Sequence, residues 1–238
     1  MSGSITIRPC QSHQDLEACV GIQRQAWGFD DVDLTPTAIF VVAQHTGGHT
    51  LIAFEGEKPI GFTLAFSAAH NGCAYWHSHM VAVVPEYQNH GVGRMLKQRQ
   101  REDALSAGIS RIEWTYDPLE LRNANLNIGG LGAVVRRYIP NCYGSRAGLM
   151  DTGLPTDRFV CEWRIAGSQP RRQLSPDAIR IPLPSNLPEL KKSNLSRVLG
   201  IQRDLRERCT DLFARNYAVT GFLRGPDFCE YVLEPNEN

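Results

Sequence analysis

Tyr75 to Lys97 reads YWHSHMVAVVPEYQNHGVGRMLK, and how this stretch is read decides the fold. Its first half is apolar and aromatic, interrupted by two histidines, a composition that suits a strand. Side chains alternate along a strand. Regular pairing would therefore put Tyr75, His77, His79, Val81 and Val83 on one face and Trp76, Ser78, Met80 and Ala82 on the other. Pro85 has no amide hydrogen to give to a ladder and ends the strand. Gln88-Asn89-His90-Gly91-Val92-Gly93 then makes a turn whose glycines let the main chain come close to another group. A helical pattern begins at Val92 and continues through Met95, Leu96, Ala104 and Leu105 to a stop at Gly108. Lys97 and Arg99 read as solvated charges on the basic outer face of that helix.

The first amides of a helix have no partner within it, and the helix dipole adds partial positive charge at the same end. A glycine turn that runs straight into a helix is therefore suited to hold a diphosphate. The stretch is not a Walker loop, because G-K-[ST] is missing. It is not a dinucleotide fingerprint either, because G-x-G-x-x-G is incomplete.

Upstream, SITIRPC alternates as a strand and stops at Pro9. Ser12 is placed to cap a helix, with Asp15 at its third position, ahead of Leu16, Cys19, Val20, Ala26 and Trp27 at helical spacing. A second short helix follows Pro36 through TAIFVVAQ and ends at Gly47-Gly48. Two strand-like runs flank Glu55-Gly56-Glu57-Lys58, as in a tight hairpin. Downstream, SRIEWTYDPL is a strand, and the segment from Leu121 to Gly144 opens as a short helix before its pattern becomes ambiguous.

Beyond Gly144 the pattern loosens around Pro155, Pro170, Pro176, Pro182, Pro184 and Pro188. A helix is expected from about Leu187 to Arg215 and a last strand in FCEYVL. The tail is thin in apolar residues, so the expected organisation is a core over 1–150 with an extension, 151–238, packed on it.

At 238 residues the chain can bury a substantial core. Lys plus Arg number 25 and Asp plus Glu number 25, so no overall field favours nucleic acid or an anionic membrane. The seven cysteines are scattered and form no C-x-x-C pair, which argues against a zinc site and a disulfide framework. No basic-then-apolar signal opens the chain and no run approaches the ~18 apolar residues of a membrane span, so a cytoplasmic location is expected.

Taken as a whole, MVAVVPEY followed by Q-x-x-G-x-G and a helix resembles the acyl-CoA-binding motif of the GNAT superfamily of N-acetyltransferases, [QR]-x-x-G-x-[GA]. The order strand, helix, helix, hairpin, strand, helix, strand, helix from Ser4 to Gly144 fits that fold. The class this implies is α/β (α+β), a mixed central sheet flanked by helices, with a C-terminal extension. The resemblance implies acetyl-CoA or another acyl-CoA as co-substrate and no metal. It places the backbones of Val81 and Val83 along the pantetheine arm and the amides of Gln88, Asn89, His90, Gly91, Val92, Gly93 and Arg94 on the pyrophosphate.

Acyl transfer to an amine needs an uncharged nucleophile, whereas an ammonium holds its proton with a pKa near ~10. In many members of the superfamily a glutamate eleven residues before the motif's Gln or Arg removes it. Here that position is His77, and an imidazole titrating near ~6.5 can act as a base at neutral pH. The other reading of His77 is a hydrogen-bonded core histidine. His79 lines the acceptor cleft in the first reading. A third takes His77 and His79 as two ligands of one metal ion with Asp117 beside them, but no second cluster with ligand spacing occurs.

The chain departs from the family where N-x-x-A-x-x-x-Y-x-x-x-G is usual. Ala124 fits, but Ile128 stands in the tyrosine slot and Leu121 in the asparagine slot. Asn123 is the asparagine left to reach the pantetheine amides, and Tyr116, Tyr138 and Tyr143 are the remaining acids. WTYDPL, NIGGLGA and LPTDRFVCEW resemble a narrower prokaryotic subgroup of acetyltransferases, some of which acylate amino acids, including with succinyl-CoA. Such an acceptor brings a carboxylate, for which Arg158 is the expected bidentate partner and Asp117 a further contact. The expected activity is N-acyl transfer to a small-molecule amine or amino acid by direct attack between the strands of Val81 and Trp114. A non-catalytic acyl-CoA sensor is the alternative. No nucleic acid or membrane partner is expected, and a homodimer is left open.

Overall fold

The computed structural model describes residues 4–144, 153–167 and 173–236. The chain divides into two compact units, Met1–Glu113 and Trp114–Asn238. The border expected at residue 150 lies outside the described residues.

The first unit runs β1 (Ile5–Pro9), α1 (His13–Trp27), α2 (Thr37–His45), β2 (His49–Glu55), β3 (Lys58–His70), β4 (Cys73–Val83), a single 3-10 turn (Pro85–Tyr87), α3 (Val92–Ser106) and the start of β5 (Arg111–Tyr116). Its strands lie in the order β1-β2-β3-β4-β5. The first three pairings are antiparallel and β4 with β5 is parallel, so the sheet is mixed as expected.

Local chemistry explains each boundary. Ser12 caps α1 by accepting the Asp15 amide, and the Asp15 carboxylate returns to the amides of Ser12 and Gln11. Arg8 forks onto the same carboxylate at 2.7 and 2.8 Å. Gly28 ends the helix in the left-handed region, φ 66°. Glu55 pairs with Lys58 across the hairpin, with Gly56 supplying a positive φ of 58°. Phe62 of β3 packs against Phe40 of α2 and Trp27 of α1, with ring centroids 5.7 and 6.3 Å apart. α1 and α2 therefore cover the Phe62 face of the sheet.

The alternation expected along β4 breaks at one residue. Leu64 of β3 opposes Met80 and Ala65 opposes Ser78, which leaves His79 as an extra residue in β4. Opposed residues share a face. Tyr75, His77, Met80 and Ala82 thus lie on the Phe62 face, while Trp76, Ser78, Val81 and Val83 lie on the other. The bulge shifts the strand by one residue, so His77 and the Val81–Val83 pair point to opposite sides instead of sharing one.

The second unit holds the end of β5, α4 (Leu121–Ala124) continued by a π turn (Asn125–Gly130), β6 (Val134–Ile139), β7 (Arg158–Arg164), β8 (Ile179–Pro184), α5 (Leu187–Ser193), α6 (Leu195–Ala214), β9 (Tyr217–Arg224) and β10 (Phe228–Pro235). The strand order after β5 is β7-β6-β9-β10-β8. The single helix expected over 187–215 is two, because Asn194 interrupts it and caps α6 by accepting the Arg197 amide at 3.0 Å. Buried Phe159 and Tyr231 anchor the core with Tyr116, Tyr138 and Phe222 around them. Fully buried Asp157 ties β7 to its neighbours. It accepts from Arg206 at 2.8 and 2.9 Å, from Tyr138 at 2.6 Å and from the Asn141 amide at 2.9 Å.

Candidate active site

The residues from His77 to Arg94 form one continuous corner, β4 into α3, inside the first unit. The Gln88 side chain folds back to donate to the Val83 carbonyl at 3.0 Å, and Asn89 and Gly91 take positive φ values of 66° and 83°. Tyr87, one residue before, bonds Glu55 at the β2–β3 hairpin and anchors the turn. His90 Nδ1 lies 2.9 Å from the Gln88 carbonyl, so that nitrogen carries the proton.

α3 takes Gly91 as its cap, with no side-chain bond to its amides. Its first intrahelical bond runs from the Met95 amide to the Gly91 carbonyl at 3.0 Å. The amides of Val92, Gly93 and Arg94 come before it and are directed out of the helix end. A Cβ placed on Gly93 would meet only Val83 Cγ2, at 4.0 Å, and one on Gly91 would meet no protein atom within 4 Å. Protein packing therefore does not require glycine at position 93, although glycine there costs about 1 kcal/mol of helix propensity. A cradle of unpartnered amides beside unfilled van der Waals space fits a diphosphate and the close approach of its oxygens.

His77 and His79 are neighbours, with ring centroids 6.3 Å apart, and Phe66 lies 5.5 Å from His79. His79 opens to solvent on one side, yet surrounding protein and the charge of a protonated His77 hold its pKa below the ordinary imidazole value. His77 is half-buried and stands in register with Glu113 of β5. Among the described residues no group of three or more His, Cys, Asp or Glu side chains stands close enough to share a metal ion.

Two expectations about α3 change. Lys97 is only 2 % exposed, and its ammonium donates to Ser78 Oγ at 2.7 Å and Gln100 Oε1 at 3.2 Å beneath the helix. Arg99 ties α3 to the sheet by donating to the Ile7 carbonyl and to Asp103. Neither is a free outer charge. The signal for Lys97 was its position beside Leu96 and one turn before Gln100, within the buried stripe.

The remaining candidates lie in the second unit. Asn123 is exposed on α4. Asp117 accepts from the Leu119 amide at 2.8 Å and pairs with Lys191 at 3.3 Å. Arg158 donates to the Asp157 carbonyl at 2.7 Å and lies over the Tyr143 ring at 5.1 Å. Ile128, in the tyrosine slot, is buried in the π turn. Tyr116 is buried against the Tyr231 hydroxyl, and burial lifts its pKa well above the phenolic range. Burial and the bond to Asp157 do the same to Tyr138. Tyr143, 3.1 Å from Thr115 Oγ1, is the one exposed member of the three expected acids, Tyr138 being half-buried.

Residues 16–126 match the sequence model of the Acetyltransferase (GNAT) family. Solved structures of that fold superimpose on the chain with TM-scores just above one half. The ribosomal-protein-S18-alanine N-acetyltransferase of Escherichia coli is 19% identical, with a TM-score of 0.54 over 72% of this chain and 100% of its own. Salmonella typhimurium yncA, solved with its cofactor acetyl-CoA, is 18% identical with a TM-score of 0.54, over 71% and 99%. A GNAT family acetyltransferase from Elizabethkingia anophelis with acetyl-CoA bound is 14% identical with a TM-score of 0.53, over 67% and 97%. No curated protein matches the chain in sequence. Residues 16–126, just under half of the chain, thus carry the sequence pattern of a GNAT acetyltransferase domain, and the solved structures share its fold. No helix among the described residues is long and apolar enough to cross a membrane.

Proposed function

We propose that this chain moves an acyl group from acetyl-CoA, or another acyl-CoA, to the amine of a small molecule within a ternary complex. The observation that carries this reading is the amino-terminal end of α3, uncapped and with room at Gly93. The amides from Gln88 to Arg94 hold the pyrophosphate there. The backbones of Val81 and Val83 pair with the pantetheine arm as with an added strand. This agrees with the pairs that β4 makes with β5 at Trp76 and His77, upstream of both valines. Val81 and Val83 turn their side chains to the face that meets α3, and their backbone groups, in the plane of the sheet, lead toward the start of that helix.

His77 serves as the base that takes the amine's proton. The leaving CoA departs as a thiolate, and an ordinary thiol ionises near ~8.5, so departure does not demand a strong acid. A second reading, an acyl-CoA sensor without turnover, is favoured by buried Ile128 where the family carries a tyrosine.

Release of free thiol from acetyl-CoA, with and without a mixed pool of small amines, tests the two. Turnover predicts acceleration by at least one amine. With that amine, His77→Ala should lower kcat about a hundredfold or more while leaving the KM for acyl-CoA unchanged. Tight acetyl-CoA binding with no acceleration by any amine would establish the sensor instead.

A further inference from the structure

Glu113 is a buried carboxylate that the chemistry above does not use. It is 5 % exposed, on β5, and directly in register with His77 across the parallel pairing of β4 and β5. Neighbouring strands stand about 4.8 Å apart and opposed residues share a face, so the carboxylate and the imidazole stand side by side. Trp76 and Ile112, the preceding pair, occupy the opposite face.

Burying a carboxylate is costly unless its oxygens are well bonded. Arg111, two residues earlier on the same strand, approaches Glu113 Oε1 with its Nε at 3.3 Å, while its guanidinium lies over the Tyr75 ring at 4.6 Å. That is a single-point pair, not the forked one seen between Arg206 and Asp157. An ionised carboxylate has about four acceptor positions, so Glu113 can accept an imidazole N–H as well as meet Arg111.

We propose that Glu113 is the positioning residue of a His77–Glu113 dyad, an assignment that rests on His77 being the base. Glu113 accepts the N–H of one ring nitrogen of His77 and leaves the other nitrogen bare toward the acceptor amine. As the amine nitrogen bonds to the thioester carbonyl carbon and the C–S bond breaks, the amine's proton passes to that bare nitrogen. Glu113 stays ionised beside the imidazolium and takes no proton itself.

Ring ¹⁵N NMR on the full chain tests this without requiring turnover, with His77 assigned by His77→Gln. In the unaltered protein the neutral His77 ring should show one fixed tautomer, with His79 serving as the internal reference. An averaged mixture at His77 would overturn the dyad. Glu113→Gln should shift the His77 ring signals, leave those of His79 in place, and lower kcat about tenfold to a hundredfold with the KM for acyl-CoA unchanged. Unmoved His77 signals in that variant, whatever happens to kcat, would assign Glu113 to structure alone. If no acyl-CoA and amine pair gives turnover, the acyl-transfer reading fails by itself and the ring signals still decide the dyad.

Discussion

Two helices of the first unit begin in opposite ways. α1 closes its amino-terminal end with Ser12 and Asp15 and adds Arg8 behind the carboxylate. α3 begins at Gly91, with no side chain on its amides and a second glycine in its first turn. A glycine cap costs a few tenths of a kcal/mol relative to serine or aspartate, and glycine in place of alanine within a helix up to about 1 kcal/mol. Against a native stability of roughly 5–15 kcal/mol, accepting both is a noticeable loss. The same chain that builds a capping box at α1 leaves the first amides of α3 without a side-chain partner.

The contrast breaks most decisively at Gly93. Gly93→Asp puts a carboxylate where the diphosphate belongs, with enough space for its Cβ. Acetyl-CoA affinity by titration calorimetry should fall about a hundredfold, roughly 2.7 kcal/mol, while thermal stability holds or rises, because an acidic group suits that helix end. Unchanged affinity would remove α3 from cofactor binding.

Asp15→Ala should do the reverse. Folding stability by urea titration should drop by about 2 kcal/mol, from the lost cap and charge-assisted bonds, with acetyl-CoA affinity unchanged. The pH dependence follows from the same carboxylate, which bonds to Arg8 and to the Gln11 and Ser12 amides hold far below the usual range. A depressed pKa contributes stability that is present above the unfolded value near 3.9 and is lost as pH falls through the folded one. Asp15→Asn should therefore flatten the loss of stability on acidification from about pH 5 downward, read from melting temperatures.

The smallest effect sharpens the comparison most finely. Gly93→Ala should raise stability by up to about 1 kcal/mol while weakening acetyl-CoA binding severalfold, because the methyl group occupies the approach path of the phosphate oxygens. Gains in both would mean that position 93 is glycine for no ligand-related reason.

Elements fixed by local chemistry were legible in the sequence. The Ser12 and Asp15 box, the hairpin turn at Gly56 and the α3 start at Gly91-Val92-Gly93 all follow from residue type at fixed spacing. What depended on distant partners was not. The extra residue at His79 has no glycine or proline to mark it and exists only as a mismatch with β3. Lys97 reads as polar, and only the sheet beneath it makes it interior. β8 was hidden by Pro182 and Pro184, which a strand tolerates because it stands at the end of the strand order and needs no ladder on its far side. Within the site, the uncapped start of α3 could be read from the motif, whereas the pairing of His77 with Glu113 required the register of two strands far apart in sequence.

The surplus residue in β4 gives the molecule a division of labour along one strand. Ahead of it the strand turns its imidazole to one layer, and beyond it Val81 and Val83 serve the layer of α3. On the proposed reading, acceptor chemistry and coenzyme grip fall on separate surfaces, so mutation can retune one while the other stays packed. Deleting His79 would leave Ser78 opposite Ala65 and Met80 opposite Leu64 in unbroken alternation, so both faces would hold and only the local twist of the strand would relax.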